Sequence, residues 1–317
     1  MKPIIAFLML AGFALAEDPQ TPGDNAEPSA AQVALGRALF FDPRLSTTGQ
    51  VSCATCHKPE KGYTDDGPVS VGVNNQRGTR RAQTVLNAVY KQALFHDGRA
   101  AFLEGQVTQP LQAPAEMGNQ TLGEAFGRIA RIPGYQQLFL EAFGHTVNVS
   151  EGIKACAAFE RTLVSSEAPI DRFIKGETWA LDARQQHGVQ VFYSSGCANC
   201  HSGEQFTDQQ FHDILGRTRD RNGTLDTGRG KISRNNQDNF KFVTPTLRDI
   251  GRRAPYGHAG QFATMDDMVA YLRNPVNGVE INAHRWSDRD AADLAYALNT
   301  VWESYDYPLV TAPSLPR

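Results

Sequence analysis

The sequence predicts an all-α, loop-rich fold organised in two halves. Three observations carry that expectation. Apolar residues recur at helical spacing in six segments of the 317-residue chain, whereas the period-2 alternation of half-buried strands is scarce. The pentapeptide Cys-x-x-Cys-His occurs twice, at Cys53–His57 and Cys197–His201, and it is the one convincing internal repeat. The copies stand 144 residues apart in a chain long enough for two domains, so each half is expected to wrap one copy.

Taken in order, residues 1–16 open with Met1-Lys2, run apolar from Ile4 to Leu15 and end Ala14-Leu15-Ala16. That is an n-region, an h-region and a small-x-small cleavage site. The run is too short to anchor permanently in a bilayer, and Glu17-Asp18-Pro19 argues against a buried helix continuing from it. Cleavage after Ala16 and export to a bacterial periplasm are expected. The first helix is expected over Ala30–Phe41, followed after the first pentapeptide by Leu122–Arg131 and Ser150–Ser165, the latter capped by Ser150 before Glu151. This third helix carries Cys156, the cysteine outside both pentapeptides, which reads as a buried free thiol because no partner remains for it. A boundary is expected near 168–176, giving an N-terminal domain of residues 17–170 and a C-terminal domain of residues 171–317. Ala180–Ser194 then leads into the second pentapeptide, a Gly- and charge-rich connection fills Asn222–Arg234, and helices are expected over Met265–Leu272 and Asp288–Glu303, the last capped by Ser287-Asp288. Beyond residue 16 no stretch is long and apolar enough for a transmembrane helix, so no membrane anchor is expected.

Charge excludes some partners. With 31 basic and 34 acidic residues the chain is slightly acidic, and removal of residues 1–16 takes away one lysine and no acid. Nothing here points to nucleic acid or an anionic membrane.

The pentapeptide is where the chemistry lies. Cys-x-x-Cys-His is the attachment signature of a c-type haem: two thioether bonds hold the porphyrin and the histidine ligates iron. Cys53, Cys56 and His57 would hold one haem, and Cys197, Cys200 and His201 a second. The competing readings are half of a zinc site, which wants a further Cys or His pair nearby, and a redox dithiol, which has no need of the histidine.

The flanks make the pattern specific. Leu35-Gly36-Arg37 and Leu39-Phe40-Phe41-Asp42-Pro43-Arg44-Leu45-Ser46 precede the first motif; Gly78-Thr79-Arg80, Thr84-Val85-Leu86-Asn87-Ala88 and Asp97-Gly98-Arg99 follow it; Pro245-Thr246-Leu247-Arg248 and Ala254-Pro255-Tyr256-Gly257-His258 stand in the second half. Together these resemble the bacterial di-haem cytochrome c peroxidase and MauG superfamily, over nearly all of residues 31–302. The resemblance implies two cytochrome c-like domains packed face to face, each with one covalent haem, the N-terminal one meeting hydrogen peroxide and the C-terminal one passing electrons. It also implies that Gln106 and Glu116 are the distal, catalytic pair over the first iron, with Pro110 lining their pocket. Without the resemblance these two would read as solvated loop residues.

Four departures from the family pattern shape the expectation further. Val73 stands where cytochrome c peroxidases of this family commonly carry a distal histidine, which implies an open N-terminal iron and the MauG-like branch. His96 replaces the tryptophan of the usual Trp-Asp-Gly-Arg, as either an altered electron bridge or a hydrogen-bonding support. Arg81 replaces the asparagine of the family's calcium position, with Gln83 and Arg253 as further changes nearby; a guanidinium cannot coordinate calcium, so the ion is doubtful and Arg81 would supply the positive charge. Leu272 falls where the second iron's distal ligand would be; Tyr271 beside it is a candidate metal ligand, with ordinary packing as its alternative, and Met268 lies one turn earlier.

The expected function is thus an exported di-haem peroxidase reducing hydrogen peroxide. Electrons would come from a small donor protein, a cytochrome c or cupredoxin, or from an aromatic side chain of a partner protein. The alternative is a non-catalytic di-haem electron-transfer cytochrome. Trp179, Trp286 and Trp302, all in the C-terminal half, would be relay or helix-packing residues.

Overall fold

A computed structural model describes residues 27–220 and 222–317; the export signal expected at residues 1–16 lies outside the described residues. Helices dominate: α1 (Ala30–Phe41), α2 (Cys53–Cys56), α3 (Leu103–Gln112), α4 (Leu122–Ile129), α5 (Pro133–Phe143), α6 (Val149–Arg161), α7 (Pro169–Ile174), α8 (Ala183–Ser194), α9 (Gly230–Ser233), α10 (Met265–Arg273) and α11 (Asp288–Thr300). Among the described residues the sheet is one antiparallel pair, β1 (Phe211–His212) with β2 (Phe242–Val243), Phe211 opposite Val243. The all-α expectation is corrected only by this short ladder. It places Phe242 on the face of His258, ring centroids 3.9 Å apart, and lets the Val243 amide donate to the His96 carbonyl at 2.9 Å.

Local chemistry sets the helix starts. Ser29 and Gln32 form a capping box at α1, as do Asp182 and Gln185 at α8 and Ser287 and Asp290 at α11. The cap of α6 is Asn148, whose side-chain oxygen accepts the Ser150 and Glu151 amides, so Ser150 lies inside the helix it was expected to open.

Each half is built on one close helix crossing at a glycine. A Cβ on Gly36 of α1 would stand 1.8 Å from the Ala155 carbonyl oxygen of α6, and one on Gly188 of α8 would stand 2.1 Å from that of Asp293 on α11. Only hydrogen fits at either contact. Around the first crossing Leu35, Leu39, Phe126, Tyr135, Phe139 and Cys156 are buried together. Around the second lie Val189, Phe192, Leu294, Leu298 and Trp302, whose ring packs 5.1 Å from Phe192 and 5.6 Å from Phe206.

The C-terminal segment returns to the first half. Its Tyr307 and Val310 pack with Phe40, Tyr63 and Phe159. The Arg44 guanidinium donates to the Pro316 carbonyl at 2.9 Å, and the Gly134 amide to that of Arg317 at 2.9 Å.

Candidate active site

The first pentapeptide forms α2 and closes a cavity of about 370 Å³, lined by Cys56, His57, Gln106, Pro110 and Glu116, with Lys91, His96, Arg99 and Glu160 also in its wall. His57 Nδ1 lies 3.1 Å from the Tyr63 carbonyl oxygen. That contact makes Nδ1 the protonated nitrogen and leaves Nε2 as the free lone pair, the arrangement an axial histidine requires. Burial lowers the ring's pKa, which favours the neutral form able to ligate.

Gln106 and Glu116 come from different elements. Gln106 sits on α3, a helix the sequence conceals because Gly105 and Pro110 interrupt it. The chain then folds back: the Glu116 amide donates to Ala113 O at 3.0 Å, and the Asn119 side chain donates to Leu111 O at 2.7 Å and Leu45 O at 2.9 Å. On the other side the Val73 amide donates to the Glu116 carbonyl at 2.9 Å. Gly72 permits that approach, since a Cβ there would lie 2.2 Å from the Ala115 oxygen. Burial raises the Glu116 carboxyl, and the Arg99 guanidinium pulls it partly back. Val73, 3 % exposed, points into the apolar core with Leu35 and Met117. Among the described residues, His57 and His96 are the histidines lining this cavity.

A second cavity, about 280 Å³, is lined by Cys197, Cys200, His201, Phe242, His258, Met265, Met268 and Leu272. His201 repeats the geometry of His57: its Nδ1 lies 3.1 Å from the Phe206 carbonyl oxygen, and burial keeps it neutral. Tyr271 is not brought to this site. Its hydroxyl donates to the Ile214 carbonyl at 2.7 Å and its ring packs against Phe262. On α10 residues 265, 268 and 272 share the cavity face, and the Thr264–Asp267 capping box pins that register, which leaves Tyr271 off the face.

One wall serves both cavities: residues 81–84 with Lys91 and His96. His96 Nε2 donates to the Arg81 carbonyl at 3.0 Å, and Gln83 lies 3.4 Å from its Nδ1. Burial pushes the ring down to about 3, so His96 stands between the cavities as a neutral, hydrogen-bonded imidazole, 6.5 Å from the His258 ring. Beside it Arg80 pairs with Asp97 at 2.6 Å and with Asp226 at 2.7 Å.

Arg81 has its own cage. Its guanidinium donates to the carbonyls of Gly67, Asp65 (2.7 Å), Arg253 (3.1 Å) and Ala254 (3.0 Å) and to the Thr64 hydroxyl (2.8 Å). Burial lowers it to about 10, which leaves it charged at neutral pH. The cation in this ring of oxygens is a side chain.

Lys91 and Glu160 carry no sequence signal. Lys91 reads as part of a polar turn, yet burial lowers its amine to about 8; Glu160 reads as an exposed helix residue, yet burial raises its carboxyl to about 8. Both line the first cavity.

The donor sets fit haem c. Cys56 and His57 line the first cavity, with Cys53 at the start of the same helix, and Cys197, Cys200 and His201 line the second; each imidazole has Nδ1 engaged beside a wide, partly apolar space, which is what a covalently held porphyrin requires. The fold and its paired cavities are those of a di-haem c-type protein. The "Di-haem cytochrome c peroxidase" family model matches residues 30–179. The chain is 38% identical over 295 residues to "Methylamine utilization protein MauG" of Methylorubrum extorquens, covering 90% of this chain and 81% of that protein. It is 35% identical to "Cytochrome c551 peroxidase" of Pseudomonas aeruginosa, with 89% and 81% covered. Among solved structures it is similar to a MauG-like protein associated with microbial copper homeostasis, with a TM-score of 0.81, 26% identity, and 93% and 96% of the two chains covered. The chain belongs to the di-haem cytochrome c peroxidase and MauG superfamily, a family of oxidoreductases.

Proposed function

We propose that this chain is an exported, MauG-like di-haem peroxidase that reduces hydrogen peroxide in the cavity of His57. The observation that carries the reading is the pairing of Gln106 and Glu116 in that cavity while Val73 is buried in the core, so that no histidine but His57 and His96 lines it among the described residues. Cys53 and Cys56 would attach one haem and Cys197 and Cys200 the other, with His57 and His201 as axial ligands. Bound haem supplies redox-active iron able to take part in O–O cleavage.

What the protein adds is proton handling. The Glu116 carboxylate takes the proton from the inner peroxide oxygen and returns it to the outer one, which leaves as water. Its raised pKa brings it closer to the operating pH, where a shuttle works best. The Gln106 amide orients the peroxide. His96 is too weak a base to share the work and serves as a fixed wall. Electrons enter from the side of His201, in a C-terminal domain of residues 171–317 whose end packs back on the N-terminal domain of residues 17–170 that holds His57.

Similarity to MauG and the buried Val73 favour a protein side chain as the electron source, with a small cytochrome c or cupredoxin as the second reading. No helix among the described residues is long and apolar enough to cross a membrane, which accords with a periplasmic protein. The test is a resting-state EPR spectrum of the diferric holoprotein followed by stopped-flow mixing with peroxide. A high-spin signal and rapid reaction without prior reduction are expected. Two low-spin haems that ignore peroxide would show an electron-transfer cytochrome instead. Slow turnover with reduced cytochrome c, alongside a fast first reaction, would point to a protein substrate.

A further inference from the structure

We infer that Tyr63 and the C-terminal segment form a latch that positions His57, so that residues after the second half set the axial ligand of the first. The inference rests on His57 being that ligand, as proposed above.

The chain following each pentapeptide solves the same problem in two ways. After His57 it turns through Lys58–Tyr63, and after His201 through Ser202–Phe206. In both turns an aromatic residue with positive φ, Tyr63 at 54° and Phe206 at 48°, aims its carbonyl oxygen at Nδ1, 3.1 Å away. Left-handed backbone is uncommon for bulky residues and persists when the surroundings over-determine it. The Phe206 side chain, which carries no hydroxyl, is held through its ring, packed against Trp302 with the Arg248 guanidinium over it at 5.1 Å.

Tyr63 is held by hydrogen bonds as well. Fully buried, it donates its hydroxyl to the Pro308 carbonyl at 2.6 Å and accepts the Val310 amide at 3.3 Å. The contact is reciprocal, because the Tyr307 hydroxyl donates to the Pro59 carbonyl at 2.5 Å within the same turn. Two tyrosines therefore clamp the turn from both sides. The segment that clamps it is itself fixed at the junction of the halves and in the second half: the Tyr305 amide donates to Glu167 O at 2.9 Å, the Ser304 amide to the Asp249 carboxylate at 2.9 Å, and Arg252 stacks on Tyr307 at 4.2 Å.

The acceptor on the outer nitrogen of an axial histidine fixes its tautomer and tunes its basicity, so a displaced carbonyl reaches the metal through the ring. Tyr63 is a positioning residue, and the C-terminal segment acts through it. The phenylalanine in the other half marks the latch as a feature of one site.

The test uses holoprotein carrying both haems. Tyr63→Phe keeps the ring and removes the hydroxyl; Tyr307→Phe removes the opposite bond; truncation after Asp306 removes both. Resonance Raman of the ferrous form reads the iron–histidine stretch, and redox titration reads each haem. Expected is a shifted and broadened N-terminal band and a moved N-terminal potential in all three, largest in the truncation, with the C-terminal haem unchanged. Variants that retain both haems with neither readout altered overturn the latch, as does an equal change at both haems, which marks general loosening. If the truncated chain fails to fold, the two phenylalanine variants decide. A wild-type protein without an iron–histidine band overturns the assignment of His57 and the latch together; a normal wild-type band that no variant moves overturns the latch alone.

Discussion

Glu116 is delivered to the cavity by hydrogen bonds of its own backbone, to Ala113 and Val73, so its side chain can be changed without moving the loop. Glu116→Gln is expected to slow the reaction with peroxide by about 10²–10⁴-fold, measured by stopped-flow, while the resting spectrum stays the same. The sign of the pH effect follows from its environment. A proton-accepting carboxyl must be ionised, and burial raises its pKa. The rate should therefore fall as pH drops through a value above the ordinary glutamate range, and that limb should vanish in Glu116→Gln. Tyr271 gives the converse case. With its hydroxyl on Ile214, Tyr271→Phe should leave the resting EPR signal of the C-terminal haem unchanged; an altered signal would return the phenol to the iron.

At the scale of elements, the helices with clean periodicity were legible. Ala30–Phe41 is α1 to the residue, and the helix expected to open at Asp288 does so. Others were hidden by their own composition. Pro133-Gly134 reads as a turn yet starts α5, because proline at a first helical position loses nothing. Gly105 and Pro110 conceal α3, and with it the reason Gln106 is held rigidly. The haem motifs were plain because three reactive groups in fixed order leave few alternatives. Lys91, Glu160 and the fold-back that aims Glu116 depend on contacts between distant segments, which no local pattern encodes. The glycine crossings belong to this scale also. Gly36→Ala puts a methyl group 1.8 Å from a backbone oxygen and should cost roughly 1–3 kcal/mol or more as α1 and α6 are forced apart, read as a lower midpoint in urea.

Across the whole molecule, Arg81 ties segments 64–67 and 253–254 through one buried charge. Removing it leaves several carbonyls without donors, each costing about 1–3 kcal/mol when buried. Arg81→Ala should lower the thermal midpoint markedly, whereas chelators should leave the wild-type midpoint where it is; tight stoichiometric calcium in the wild type would refute this. The return of the C-terminal segment has a consequence in time. Tyr63 finds its hydrogen-bond partner in a residue 245 positions further along. A ribosome delivers that partner long after the first pentapeptide has emerged. Until then the turn beside His57 lacks the clasp that Tyr63 and Tyr307 give it. The turn beside the first pentapeptide is therefore closed by residues made after the second pentapeptide.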